Sequence, residues 1–364
     1  MTSQLRIYDN TEVSGHRNCN RKHFYRHEAH LSRSGTAPPL AFGLAWHKAQ
    51  DVIWAKIGEL SKVRQQDETI ALAKMAYAAW EDCWAEEGYP REVDMDKDWE
   101  TRLKARTPNT AIEMIFSYIV ERWDLLKFQY KLVAVEQPFI VPLDPDDPNL
   151  WYCGRIDKVI ERMSGPGSGK LFIVDHKSSS AYSKAKGFLP SFTESFSPNS
   201  QVDGYAYGAR MLYGDDFGGV YIDGALVHKT HHDIFCFMPV SRSADQMDAW
   251  LWEARSEIKK LESDQEILEM VYEGSEESFV LAECNADVFN MTYMPAAAKN
   301  TGACYDFNSP CMYMDLCKGW GNPIKGLIEH GTPAGYIVDP WSPFTDEQRE
   351  EVTKLIEGYK NAER

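Results

Sequence analysis

The chain is expected to fold as an α/β protein with a mainly helical first third, and three observations carry that expectation. Apolar residues recur at three- and four-residue steps as far as about Tyr130. From Lys131 short β-branched and aromatic runs take over, and amphipathic stretches return after them. In order, Phe42, Trp46, Ala49, Ile53, Ile57 and Leu60 predict a helix over about 41–60 with one buried stripe. Two further helices are expected near 68–87 and 96–130, the second broken at Pro108. The segments VAVEQPFIV, WYCGRIDKVIERM and KLFIVDHK read as strands. The turn SGPGSG between the last two, followed by GKL, does not make a phosphate-binding loop. Ser164 stands where the first glycine is required, and a strand rather than a helix follows Lys170. Ser197 and Pro198 suit the N-cap and N1 positions of a helix reaching about Tyr213. GVYIDGALVHK and HHDIFCFMPV then read as a hairpin, and Met247, Trp250, Leu251, Ala254, Ile258 and Leu261 as one face of another helix. The chain divides into 1–130, a basic, cysteine-bearing and helical region; 131–270, a sheet-bearing core; and 271–364, a cysteine segment with a terminal helix. All three are expected to form one compact body.

At 364 residues, 43% hydrophobic and 26% charged, the composition is that of a globular protein. No run of about 18 apolar residues is present, and the N-terminus lacks the basic-then-apolar layout of a secretory signal, so a cytoplasmic location without membrane contact is expected. A net charge of -16 argues against a generally basic surface. Any nucleic-acid contact must be local, and Arg17, Arg21, Lys22, Arg26 and Arg33, interleaved with Phe24 and Tyr25, form one candidate segment. A solvated helix face explains the same residues equally well. The cluster His228, His231 and His232 falls in the hairpin turn, where solvation is favoured over a zinc site. Of eight cysteines, Cys83, Cys153, Cys236 and Cys284 read as small core or surface residues, which leaves Cys19, Cys304, Cys311 and Cys317.

Asp175 and Lys177 lie two apart at the end of an apolar strand, so both side chains point to one side. Asp157 sits in the preceding strand, and a hairpin turn at SGPGSG brings the two carboxylates together. Close carboxylates repel unless a cation lies between them, an arrangement suited to Mg²⁺ or Mn²⁺. A neighbouring lysine orients or helps deprotonate an attacking water and offsets charge in a phosphoryl transition state. A bare D-x-K is common, but Gly43 to His47, Gly154 to Asp157, Asp175 to Lys177, and Gln201 to Tyr205 fall in a definite order.

That order, G-x-x-x-H, G-x-x-D, D-x-K and Q-x-x-x-Y, resembles the RecB-like branch of the PD-(D/E)xK nucleases, over about residues 14–319. The resemblance implies a restriction-endonuclease-like core: a central mixed sheet flanked by helices, with an N-terminal helical region and a C-terminal iron-sulfur segment. It implies that His47, Asp157, Asp175 and the main-chain carbonyl of His176 bind Mg²⁺ or Mn²⁺. Lys177 would assist the water nucleophile, and Gln201 and Tyr205 would position substrate. Glu136 resembles a frequent acidic position. The implied activity is DNA exonuclease, acting on single strands or free ends in recombination, repair or replication beside other proteins of those processes. Arg17, Arg21, Lys22 and Arg26 would contact the strand, and a viral protein acting in a host cell fits.

One cysteine near the N-terminus and three near the C-terminus resemble the iron-sulfur members of that branch, the CRISPR-associated and AddB-type exonucleases. The resemblance implies a 4Fe-4S cluster on Cys19, Cys304, Cys311 and Cys317. The C-x5-C spacing agrees; the six residues between Cys304 and Cys311 depart from the family's usual two. From the residues alone, structural zinc and free thiols stay open. Two other readings also stay open: a DNA-binding module without catalysis, and a redox-responsive protein.

Overall fold

The computed structural model describes residues 5–183, 187–269, 294–306, 309–344 and 346–362; Cys284 lies outside them. In chain order the elements are β1 (Arg6–Asp9), α1 (Asn10–Asn18), β2 (Leu31–Arg33), α2 (Pro38–Ile57), α3 (Gln66–Glu86), α4 (Lys97–Leu103) and α5 (Pro108–Asp124). Next come β3 (Tyr130–Pro142), β4 (Leu150–Arg162), β5 (Leu171–Ser179), α6 (Ser200–Tyr213), β6 (Phe217–Leu226) and β7 (Phe235–Val240). The chain continues with α7 (Ala244–Glu269), α8 (Met314–Gly319), α9 (Pro323–His330), β8 (Tyr336–Val338) and α10 (Asp346–Ala362). These elements fall into two compact units, each discontinuous in sequence. The inner unit is Gly35–Phe139 with Arg155–Ala244, and the terminal unit is Met1–Ser34, Ile140–Gly154 and Asp245–Arg364.

The inner unit is an α/β arrangement around a mixed sheet. β4 and β5 are antiparallel, with Lys158 opposite Val174. β5 and β6 are parallel, with His176 beside Asp223, and β6 and β7 are antiparallel. The β4–β5 turn closes through Arg162 N to Lys170 O (3.0 Å) and Gly169 N to Arg162 O (2.8 Å). Gly165, Gly167 and Gly169 there hold φ of 79, 80 and 82°, a left-handed region that side chains rarely enter, which is why the turn alternates glycines. Helices α2, α3 and α5 cover the sheet with one apolar core. Phe42, Trp46, Ile53, Trp80, Trp84, Met114 and Tyr118 meet Ile160, Val174 and Tyr221 from the strands. The 3.6-residue stripe read in α2 is the face that this core buries.

Helix α6 begins later than the sequence suggests. Residues Glu194–Phe196 form a 3-10 turn that Ser197 closes by donating from its N–H to Glu194 O (3.3 Å). The free N–H groups of the first helical turn are instead taken by the Asn199 side chain, at 3.1 Å from both Gln201 N and Val202 N.

In the terminal unit, β1 runs parallel to the first residues of β4, from Arg6 beside Leu150 to Asp9 beside Cys153, and β2 pairs antiparallel with β8. One cluster of this unit buries Phe24, Tyr25, Leu31, Tyr313, Leu327 and Tyr336, with Cys311 and Cys317 partly buried against it. A second joins Ile140, Trp151 and Cys153 to Phe344, Val352 and Ile356 of the C-terminal region. No described helix is long and apolar enough to cross a membrane.

Candidate active site

The inner unit assembles the carboxylates from adjacent strands. The β4–β5 register, one step beyond the Lys158–Val174 pair, sets Asp157 beside Asp175. Strand alternation puts Asp175 and Lys177 on one face and the His176 ring on the other. Asp157 Oδ2 accepts from His176 N at 2.8 Å. One turn of α2 presents His47, with Nε2 3.0 Å from His176 O and Nδ1 3.4 Å from Asp157 Oδ2. Ligand atoms of His47, Glu136 and Asp157 lie within 4.8 Å of one another. Glu136 sits at φ 51°, a conformation costly for a side-chain-bearing residue, and pairs with Arg155 Nε at 2.7 Å.

The charge pattern is uneven. Asp175 is 2% exposed and Asp157 8%. Burial raises the Asp175 carboxyl, Lys177 offsets part of that, and the charge on Asp157 pushes it further up. Burial also acts on Asp157, but His47 outweighs it and holds that carboxyl well below the usual range. His47 in turn is lifted above its ordinary value, because Asp157 overcomes the cost of burying the imidazolium. Asp175 Oδ1 accepts from Lys177 Nζ at 2.8 Å, whereas Asp175 Oδ2 is buried with no hydrogen-bond partner among the described residues. A buried carboxylate oxygen without a donor is costly unless a cation meets it.

A polar chain continues outward. Lys177 Nζ donates to Gln201 Oε1 at 3.1 Å, and Gln201 Nε2 to the Tyr205 hydroxyl at 3.3 Å. Both residues lie on one face of α6, as the four-residue spacing predicts. Close approach of α6 to β3 depends on Gly208, where a Cβ would stand 2.4 Å from the Phe139 ring. Gly43, by contrast, has ordinary space, its nearest neighbour being Ser178 Oγ at 3.7 Å.

Sequence reading missed the layer behind the site. The His176 ring is buried, with Nδ1 3.2 Å from Asp223 Oδ2. Asp223 accepts from Arg122 Nη2 at 3.1 Å and from the Tyr118 hydroxyl, which itself accepts from Trp54 Nε1 at 3.0 Å. His176 therefore offers the site only its main chain. Lys158, fully buried, meets Asp51 Oδ1 at 2.5 Å. The available signals were a lone acid within the apolar run VYIDGALV and the four-residue steps Tyr118 to Arg122 and His47 to Asp51.

In the terminal unit Cys19, Cys304, Cys311 and Cys317 line one pocket, together with Lys22, Lys299 and Tyr313. Cys304 belongs with the others despite its spacing, since Cys311 N donates to Cys304 O at 2.8 Å. The basic segment is not one solvent face. Arg21 is 3% exposed and donates through Nε to Ala297 O at 2.9 Å. Arg26 pairs with Asp339 at 3.3 Å and lies over the Trp341 ring. Arg17 and Lys22 are exposed. Arg21, Phe24 and Tyr25 are buried while Lys22 between them is exposed, so the segment does not present its cations and rings together to solvent. His228 and His231 pack as rings against Tyr182, at 4.8 and 5.3 Å between centroids, and the convergence a metal requires is absent there among the described residues.

A comparison with curated proteins finds no match. Among solved structures, a protein from Eubacterium rectale described as "Putative exonuclease" is similar at 14% identity, over 85% of this chain and 92% of that one, with a TM-score of 0.39. Residues 11–318 match the family described as the PD-(D/E)XK nuclease superfamily, a span that takes in His47, Asp157, Asp175, Lys177, Gln201, Tyr205 and all four pocket cysteines. The chain belongs to the PD-(D/E)XK nuclease superfamily.

Proposed function

We propose that the protein is a metal-dependent DNA exonuclease acting on single strands or free ends, in end processing for recombination, repair or replication. The observation that carries the reading is the meeting of Asp157, Asp175, Lys177 and His47, with a buried Asp175 oxygen that has no protein donor. That donor set, oxygen-rich with one imidazole, suits Mg²⁺ or Mn²⁺. His47, Asp157, Asp175 and the His176 carbonyl would hold the ion, with Glu136 close enough to join. When bound, it supplies Lewis-acid polarisation of the scissile phosphate and a more acidic water. Lys177, held by Asp175 and Gln201, orients the attacking water and offsets the charge that develops on phosphorus oxygens. Water adds across one P–O ester bond, leaving a phosphomonoester and a hydroxyl. Gln201 and Tyr205 fix the position of Lys177 and of the strand. Arg17 and Lys22 are exposed cations of the N-terminal segment available to phosphates, whereas Arg33, also exposed, is engaged by Asp315 and Met312 O.

The four pocket cysteines, on this reading, hold a 4Fe-4S cluster that is structural and not hydrolytic. Support comes from their convergence on one pocket although Cys19 and Cys304 are far apart in sequence. Protein purified anaerobically should contain about four irons and four sulfides per chain. Stoichiometric zinc without sulfide would replace that reading by structural zinc.

The activity is tested by incubating the protein with end-labelled linear DNA, single- and double-stranded, and with a covalently closed single-stranded circle, in Mg²⁺, Mn²⁺ or chelator. Linear DNA should shorten progressively and the circle survive. Cutting of the circle at the linear rate would make the enzyme an endonuclease. Retention of both substrates, with binding intact, would make it a DNA-binding module.

A further inference from the structure

Arg21 poses a charge problem inside the terminal unit. Its side chain is 3% exposed, Nη1 is buried without a hydrogen-bond partner among the described residues, and Nε is occupied by a neutral carbonyl, Ala297 O. No carboxylate pairs with it among the described residues. A guanidinium keeps its proton under all ordinary conditions, and a buried cation without a counter-charge is strongly unfavourable. Two residues upstream lies Cys19, and the cysteine pocket is walled by two more cations, Lys22 and Lys299, with no acidic residue in its lining among the described residues. In a chain of net charge -16, such a cation-only wall calls for an anion inside it.

We infer that Arg21, with Lys22 and Lys299 at the rim, is the counter-cation of an anionic metal–thiolate centre on the four cysteines, and so a positioning residue for it rather than a DNA contact. The inference rests on the four-cysteine reading above. Four thiolates around either a 4Fe-4S core or one zinc ion leave a net negative centre, which a protein interior stabilises only with fixed positive charge. Geometry adds a second role. Arg21 holds the 297–298 segment through its side chain and through its N–H to Ala298 O at 3.0 Å, and two residues later Asn300 N donates to Cys19 Sγ at 3.3 Å. Asn300 also anchors itself to Asn18 O at 2.9 Å.

The test uses the full chain, purified anaerobically, as Arg21→Gln, Arg21→Lys and the double variant Lys22→Gln with Lys299→Gln. Removing a nearby cation disfavours the more negative, reduced cluster. Arg21→Gln should therefore lower the midpoint reduction potential and speed iron release to a chelator by about tenfold. Arg21→Lys should restore most of both, and the lysine double variant should shift the potential the same way by less. It reports independently should Arg21→Gln fold poorly. Potentials and release rates equal to those of the parent in all three would overturn the inference. Absence of iron and sulfide in the parent itself would overturn the cluster reading instead. If that parent carries zinc, faster zinc release from Arg21→Gln supports the inference, and an unchanged rate overturns it.

Discussion

In the inner unit, two buried carboxylates and Glu136 crowd together, and the neighbouring cations Lys177, His47 and Arg155 leave one Asp175 oxygen without a donor. In the terminal unit, four thiols share a pocket whose charged lining, among the described residues, is entirely cationic, and Arg21 is buried with no carboxylate partner among them. One centre offers oxygen donors, its three carboxylates matched by three cations with one carboxylate oxygen left over, and the other offers sulfur donors beside cations alone. The first is matched to a hard divalent cation, the second to a centre that is anionic once its thiols lose their protons.

The largest expected effect comes from breaking the oxygen-rich centre. Asp175→Ala should abolish cleavage of end-labelled DNA and weaken Mn²⁺ binding. Lys177→Ala should slow single-turnover hydrolysis by about 10²–10³-fold while Mn²⁺ binding persists. Loss of Mn²⁺ binding in Lys177→Ala would show that the lysine serves the ion and not the reaction.

Breaking the sulfur centre should act on stability first. On the proposed cluster, Cys311→Ser should lose the metal and lower the melting temperature by several degrees, because ligand bonds closing so long a loop would contribute directly to folding. Cleavage by the fraction that remains folded should persist. A folded Cys311→Ser protein that keeps its metal would remove Cys311 from the ligand set.

A smaller effect is expected where the site depends on close approach. Gly208→Ala places a methyl group 2.4 Å from the Phe139 ring, so either that ring or α6 must shift. A loss of about 1–3 kcal/mol in urea unfolding is expected, with reduced turnover as Gln201 and Tyr205 move. Unchanged turnover with lowered stability would mean that Gln201 and Tyr205 tolerate that shift.

The smallest effect is a pH slope in the terminal unit. Burial pushes the Asp9 carboxyl up to about 6, against hydrogen bonds from Glu12 N and Trp341 Nε1 that favour its charged form. Between its unfolded value of about 4 and that folded value the native state holds the extra proton. Stability from this group is therefore full below about pH 4 and falls as pH rises to about 6. Asp9→Asn should flatten that fall, read as melting temperature against pH; an unaltered slope would assign it elsewhere.

The two centres were not equally legible in the sequence. Asp157, Asp175 and Lys177 lie on consecutive strands, so strand alternation and one glycine-rich turn suffice to bring them together. Helices α2, α3 and α5 were legible for the same reason, since a 3.6-residue stripe is a local property. Cys304 looked least secure by spacing, yet a backbone hydrogen bond to Cys311 places it in the pocket. Arg21 and Arg26 counted as surface cations in the sequence, because neither burial nor a partner at Ala297 or Asp339 leaves any trace in nearby residues.

The sequence by itself determined the order of the motifs, the helical first third, the β4–β5 hairpin and the residue types able to hold metal, all of which follow from periodicity and short-range spacing. Tertiary structure decided which charges are buried and what meets them. It set the Asp223, Arg122 and Tyr118 layer behind His176, gave α6 its start at Asn199, and took Arg21 out of solvent onto Ala297 O. The physical reason is that the energy of a charge depends on its desolvation and on partners that the fold, not the neighbouring sequence, brings within a few ångströms.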